Sequence, residues 1–566
     1  MNRITSRRQF LKLLAGSSAI GALAACAAPA APGEGSQAPA TPASGEPGAT
    51  PQAVMDGGPR VGGTYRIVAG GDFVKTLDPG AAEAYEDWWS AGQLLYNMPY
   101  AFDREGNFYP DLAADLPKIS DDGKVYTIPL RKGVKFHNGR EMTAEDVKFT
   151  FERQLWPEVY SWGKSYLNTI VGAQDVLDGK TKDLAGVKVV DPYTVEITLD
   201  RPQAVFAALM SITIFGVVPK EEVLEAGQDW GTKVVIGTGP FKFVEWLPQQ
   251  RAVFERNPNY FKPGKPYLDR VELNLNVEES VRLLRWESGE ADFLIGIPPA
   301  ELPRILADES LKDVVRATPT MTVHRFNIHM TAKPLDNLKV RQAIACAIDK
   351  NAVIKATGAP HVVTDSVFAR AMPQFDPNFK SEYQYDPERA KALLREAGYE
   401  GGVNVGKILG GSTKVSPEIE VIHAQLKAVG IESEIVLGLY NSPEITDRLK
   451  SGDITLHILG WAASYPDGYD YAAPLFTCKA REAFNRSDYC NPRIDELLDK
   501  AESLPLTSPE RIAAYREMND ILVNRDVQSV PLFNRQTFQL SSKRARNDLL
   551  HPIYGLPVLE DAWIEG

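Results

Sequence analysis

The segment from residue 386 to residue 459 constrains the fold more than any other. Three helix starts recur in it, each a capping residue, a proline and a glutamate: Asp386-Pro387-Glu388, Ser416-Pro417-Glu418 and Ser442-Pro443-Glu444. Asp or Ser accepts hydrogen bonds from the orphan amides of a first turn, and proline at the first helical position gives up an N–H that has no partner there. The helices stop at Gly398, Gly430 and Gly452, with Gly430 as a C-cap. Ile419, Ile422, Leu426 and Val429 form the inward face of the middle one. Strand candidates fall between and after them: Lys407 to Leu409, Ile431 to Leu437, and Ile454 to Leu459. The last is almost wholly apolar and is expected to be buried on both faces. This alternation predicts an α/β fold with a sheet of parallel character.

The chain has 566 residues, enough for two or three domains, with 44% hydrophobic and 24% charged residues. A formal net charge of −12 argues against a nucleic-acid partner, which needs clustered Lys and Arg. The four cysteines, Cys26, Cys346, Cys478 and Cys490, contain no C-x-x-C pair. Cys346 falls in an apolar helix with Val340, Ile344 and Ile348 on one face, and reads as a buried thiol. His324 and His329 have opposite strand parity, so no metal site is expected, and no cofactor either. Gly401 to Ile408 nearly spells a phosphate-binding loop, but Ile408 stands where Ser or Thr must hold magnesium.

Lys124 to Leu130 alternates as a half-buried strand, and Pro129 places it at a sheet edge. His137-Asn138-Gly139 turns the chain; Thr143 caps a helix, with Asp146 reaching back as a capping-box carboxylate. Val147 and Phe151 share one face of that helix, and Phe149 packs elsewhere. The stretch Arg131-Lys132-Gly133-Val134-Lys135-Phe136-His137-Asn138-Gly139, followed by Thr143 to Arg153, resembles the signature of family 5 extracytoplasmic solute-binding proteins, the peptide-binding partners of ABC importers. Further matches at Ile236 to Phe241, Asn257 to Tyr260, Gly289 to Asp292 and Val340 to Asp349 extend the resemblance over nearly all the chain after residue 59. It implies a two-lobed periplasmic-binding-protein fold (type II, cluster C) with an extra subdomain on the first lobe. The expected divisions are a first lobe at 60–322 with the extra subdomain near 75–220, a second lobe at 323–533, and a return to the first at 534–566. Hinges are expected near Thr322 to Phe326 and Phe533 to Gln536. The implied role is capture of a peptide between the lobes and delivery to a membrane permease, with ATP hydrolysis left to partner subunits. The chain itself is expected to be a monomer and not an enzyme.

The amino terminus reads as an address. Ser6 to Lys12 matches a twin-arginine export signal, and Leu13 to Ala25 is apolar but too short for a mature membrane span. Leu23-Ala24-Ala25-Cys26 resembles a lipobox, with Cys26 acylated and residues 1–26 forming the signal. Residues 27–59, rich in Ala, Pro, Gly and Ser, cannot bury a core and read as a disordered tether. The expected location is extracytoplasmic, in the periplasm or on the outer face of the cytoplasmic membrane, held there by lipid.

Ligands of open α/β sheets lie off the carboxyl ends of strands. Two loops qualify: Gly410 to Lys414, with Ser412, Thr413 and Lys414, and Trp461 to Asp470, with Trp461, Ser464, Tyr465 and Asp467. The second matches the ligand-contacting segment of the family. Peptide binders there place an Asp three residues after the Trp, where this chain has Ser464, and dipeptide binders hold a carboxylate with an Arg in the first loop, where only Lys414 is cationic. A hydroxyl cannot neutralise an ammonium, and Asp467 is the substitute the loop offers. The solute is therefore expected to be a longer peptide held by its backbone, or a neutral polar solute such as an oligosaccharide stacked on Trp and Tyr. The family also implies a disulfide between Cys478 and Cys490. Two other classes stay open: an exported hydrolase using Asp467 and Asp470 as an acid/base pair, which would turn its ligand over, and a chaperone-like surface lipoprotein.

Overall fold

The computed structural model describes residues 58–72, 76–81, 89–161, 163–482 and 484–565. The export signal, Cys26 and the tether before residue 58 lie outside them. In chain order the main elements are β1 (Thr64–Val68), β2 (Tyr100–Phe102), β3 (Phe108–Pro110), β4 (Lys118–Ile119), β5 (Val125–Pro129), α1 (Ala144–Leu155), β6 (Val187–Asp191), β7 (Thr194–Thr198), β8 (Phe241–Leu247), β9 (Arg251–Arg256), β10 (Arg270–Asn274), β11 (Phe293–Leu294) and β12 (Val315–Ile328). There follow α2 (Leu338–Ala347), β13 (Val362–Val363), α3 (Pro387–Glu396), β14 (Val403–Gly411), α4 (Pro417–Ala428), β15 (Ile431–Leu437), α5 (Pro443–Lys450), β16 (Leu456–Ala462), α6 (Tyr469–Leu475), α7 (Pro492–Glu502), α8 (Pro509–Asp520) and β17 (Ser529–Ser541).

One sheet carries the molecule, in the order β15-β14-β16-β12-β17-β11-β1-β10-β9-β8, with β13 also on β17. β15, β14 and β16 are mutually parallel, as the helix-strand alternation requires. β1 pairs in parallel with both β10 and β11. Between these parallel groups stand β12 and β17, long antiparallel partners from Val315–Leu540 to Asn327–Ser529. The architecture is that of a two-lobed binding protein.

The capping motifs fold as their chemistry dictates. Asp386, Ser416 and Ser442 each accept an amide of their own first turn, from Arg389, Ile419 and Ile445. Thr143 and Asp146 form the capping box of α1, with the Thr143 N–H donating to the Asp146 carboxylate at 3.0 Å. Phe149 packs edge-on against Trp156, centroids 5.7 Å apart. Cys346 is a buried free thiol.

Two expectations are corrected. β5 is not an edge strand: its sheet runs β4-β5-β7-β6. Pro129 is tolerated because β4 is two residues long and pairs only with Thr127 and Tyr126, so no ladder is broken. β16 does not have the expected bounds: Ile454 to His457 are buried and Ile458 and Leu459 half-buried, but the strand continues to Gly460 and Ala462, which are exposed. The strand begins and ends later than its apolar run and carries Trp461 in its ladder, opposite Val323.

Three large buried cores lie around the sheet. The first gathers Tyr65, Trp89, Phe136, Phe151, Phe206 and, from the far end of the chain, Leu556 and Ile564. The second packs α2 and α4 on β14 through Ile344, Ile408 and Leu426. The third holds Tyr471, Leu497, Tyr515 and Met518.

Candidate functional site

Ile408 lies opposite Leu456, and Leu409 opposite His457. The chain therefore leaves β14 and β16 at the same carboxyl edge of the sheet. After β14, Ser412, Thr413 and Lys414 are all exposed. Gly411 opens this loop at φ +147°, and a Cβ there would lie 2.4 Å from the Lys414 carbonyl oxygen, so the turn admits no side chain.

At the end of β16 the half-buried Trp461 donates its Nε1–H to Asp470 Oδ2 at 3.4 Å and meets Phe484 edge-on at 5.4 Å. Ser464, also half-buried, donates its backbone N–H to the same Asp470 oxygen at 3.1 Å. The Ser464 side chain shares a hydrogen bond with the phenol of Tyr166. Tyr166 stands in the short helix Lys164–Leu167, inside the segment expected to be the extra subdomain. Asp470 is 6% exposed and forms no ion pair among the described residues. Burial raises its carboxyl to about 7, against the pull of the two N–H donors, and nearby Asp467 pushes it the same way. The cluster is a buried carboxylate held by the N–H groups of a serine and an indole.

Asp467 and Tyr465 are corrections. The Asp467 carboxylate is 3% exposed and takes both Arg511 terminal nitrogens, Nη1 to Oδ2 at 3.1 Å and Nη2 to Oδ1 at 3.0 Å. Gln374 Nε2 and the Tyr469 N–H donate to it as well, each at 2.9 Å. No lone pair is left for a solute, so Asp467 shapes the loop and cannot serve as the base of an acid/base pair. Arg511 Nη2 also binds Glu502 Oε1 at 2.9 Å, and burial raises the Glu502 carboxyl to about 7. Tyr465 is wholly buried in the first core, and its hydroxyl has no hydrogen-bond partner among the described residues. It anchors the loop in that core.

Behind the site Cys478 and Cys490 are bonded, with Cα atoms 4.3 Å apart. The segment they close contains Phe484, which packs on Trp461. A separate cavity of about 410 Å³ is bordered by Tyr96, Tyr109, Lys262, Tyr554 and Glu560 and by none of the predicted site residues. Its Lys262 is already neutralised between Asp111 and Glu560, each at 2.9 Å. Among the described residues no group of His, Cys, Asp and Glu could hold a metal ion, and no helix is long and apolar enough to cross a membrane.

Three contributors had little local signal. Asp470 was visible only as one carboxylate of the loop. Tyr166 and Arg511 reach the loop from distant segments, and nothing local to either one, the Ser508-Pro509-Glu510 helix start included, points to the contact.

Residues 107–483 match the model of bacterial extracellular solute-binding proteins, family 5. The chain is 28% identical over 498 residues to a di/tripeptide-binding protein of Pseudomonas aeruginosa, covering 85% of this chain and 90% of that protein. It is also 28% identical over 497 residues to a heme-binding protein of Haemophilus influenzae, covering 83% and 88%. Among solved structures it resembles a clavulanic acid biosynthesis oligopeptide-binding protein, with 25% identity and a TM-score of 0.80, over 90% of this chain and 96% of that one.

Proposed function

Because the chain belongs to the family 5 bacterial extracellular solute-binding proteins, a family of receptors and not of enzymes, we propose that it captures a peptide between its lobes and hands it to the permease of an ABC importer. We place capture outside the cytoplasm, with Cys26 as the lipid anchor. The observation that carries this reading is the cluster of Trp461, Ser464 and Asp470 at the carboxyl edge of β16, met by Tyr166 from the short helix Lys164–Leu167. Trp461 offers a flat apolar wall, and Ser412, Thr413 and Lys414 offer exposed polar groups nearby. Asp470, from behind Ser464, supplies the negative charge that the family places at position 464. A solute ammonium reaching Ser464 favours ionisation of that buried carboxylate, since an opposite charge at close range stabilises the charged form. Ligand that touches both lobes binds only the closed form fully and shifts the population toward it.

The test is a thermal-shift screen of the full chain against peptides of graded length with free or acetylated amino termini, against haem, and against neutral oligosaccharides. A ligand present at 100 times its dissociation constant adds about 2.7 kcal/mol. Peptides with free amino termini should raise the melting temperature and be recovered intact. A shift with haem or oligosaccharide alone would overturn the peptide reading, and recovery of cleaved peptide would overturn the receptor reading.

A further inference from the structure

Arg325, in the middle of β12, is wholly buried, and among the described residues it makes neither a hydrogen bond nor an ion pair. Its Nε and Nη1 have no acceptor, and only rings attend it, with Phe476 4.9 Å and Tyr471 5.7 Å from the guanidinium carbon. A guanidinium offers five N–H donors, and burying it unmatched is costly. Arg486, 7% exposed, lies beside it. It donates to the Tyr440 carbonyl at 2.8 Å and to Asn441 Oδ1 at 3.3 Å, but its Nε is unpartnered and no carboxylate pairs with it among the described residues.

Both arginines line one cavity of about 10 Å³, together with Asn327, His457, Phe484 and Gln528. That is room for a single water-sized occupant. No Asp or Glu borders it. His457 contributes no compensating charge: burial, and then Arg486 and Arg325, press its imidazole down to about 3, so it is neutral. Among the described residues that line the cavity, Gln528 Oε1 is the acceptor left without a donor. A water could satisfy it, but a water would leave two buried positive charges uncompensated.

We propose that this cavity is an anion site that holds one small monoanion, a halide such as chloride, on the unpartnered N–H groups of Arg325 and Arg486. The occupant is structural: it ties β12 and β16 to the segment closed by Cys478 and Cys490, whose Phe484 walls the cavity on one side and supports Trp461 on the other. The inference stands whether or not the solute is a peptide.

The experiment uses the full chain, freed of halide and melted in sodium chloride and in sodium gluconate at equal ionic strength, since gluconate is too large to enter. Chloride should raise the melting temperature saturably, by roughly 2 °C or more. Arg325→Met should abolish the difference between the salts, and Arg486→Gln should weaken chloride at least tenfold. If neither variant folds, crystals of the wild-type chain grown with bromide decide, with an anomalous peak expected between the two guanidiniums. Equal melting in both salts, a chloride effect unchanged in both variants, or only water at that position in the bromide crystal would overturn the proposal.

Discussion

At the scale of the residue, two buried carboxyls make stability depend on pH. Asp470 and Glu502 are both raised to about 7, chiefly by burial. In the unfolded chain they titrate at about 4. Between those values the native state holds more protons than the unfolded one, so stability falls as pH rises from about 4 to 7. Each group adds a slope of up to about 1.4 kcal/mol per pH unit within that window. Of the groups around Asp470, Asp467 opposes its ionisation, and the Ser464 and Trp461 N–H groups favour it. Urea unfolding at several values between pH 5 and pH 8 should show the decline, and Asp470→Asn should flatten it by about one proton while weakening peptides with free amino termini. An unchanged slope in that variant would mean that Asp470 ionises normally. Arg511 poses the opposite problem, being a cation shared by two buried acids. Arg511→Met leaves Asp467 without its bidentate partner and should cost about 3–5 kcal/mol, read as a drop in the urea midpoint.

At the scale of the element, the helix starts do two jobs. α8 begins at Ser508-Pro509-Glu510, and the Ser508 hydroxyl accepts the Arg511 N–H at 3.1 Å. That cap fixes the first turn from which Arg511 reaches Asp467. Ser508→Ala should therefore cost about 1 kcal/mol as a lost cap, and more if the guanidinium shifts, whereas Ser442→Ala, at a helix with no link to the site, should cost the cap alone. Denaturant midpoints of the two variants separate these cases. The α/β alternation was legible in the sequence because caps, prolines and glycines act over a few residues, and the structure sets α4 and α5 between the parallel strands β14, β15 and β16, with α3 leading into β14. The strand ends were less legible. Trp461 follows the glycine at 460 and looks like loop, yet pairing with Val323 of β12 holds it in the ladder. The site was legible only as a loop. What Asp467 does depends on Arg511, and what Ser464 meets depends on Tyr166, and nothing near position 467 or 464 encodes either contact. Arg325 was hidden for the same reason, because an arginine in an apolar strand reads as a surface residue until its neighbours are known.

At the scale of the whole molecule, the working motion depends on where the sheet can bend. β12 and β17 join its two parallel groups, and their pairing slips between Pro319 and Val323 and again between His324 and Arg325. The two stretches expected to be hinges lie opposite each other here, Val323 against Asn534 and His324 against Phe533. Asn534 is wholly buried and pins the irregularity: its Nδ2 donates to the carbonyls of Thr320 at 2.7 Å and Thr322 at 3.0 Å, and its Oδ1 accepts the Arg370 N–H at 2.8 Å. Phe533 is stacked between His324 and His361, at 4.6 and 4.7 Å, which stiffens the next position. A ligand changes the open-to-closed ratio only by its difference in affinity for the two forms, and the free population of the competent form scales the apparent dissociation constant. Asn534 is distant in sequence from Trp461, Ser464 and Asp470 and touches none of them, so changing it should alter affinity only through that ratio. Small-angle scattering of the wild-type chain should show the radius of gyration falling when a binding peptide is added. Asn534→Ala should change the scattering of the free protein and shift the apparent dissociation constant of every peptide by the same factor, leaving their rank order intact. A change in rank order, or an affinity loss with identical free-state scattering, would place the effect in the site and remove this pair of strands as the hinge.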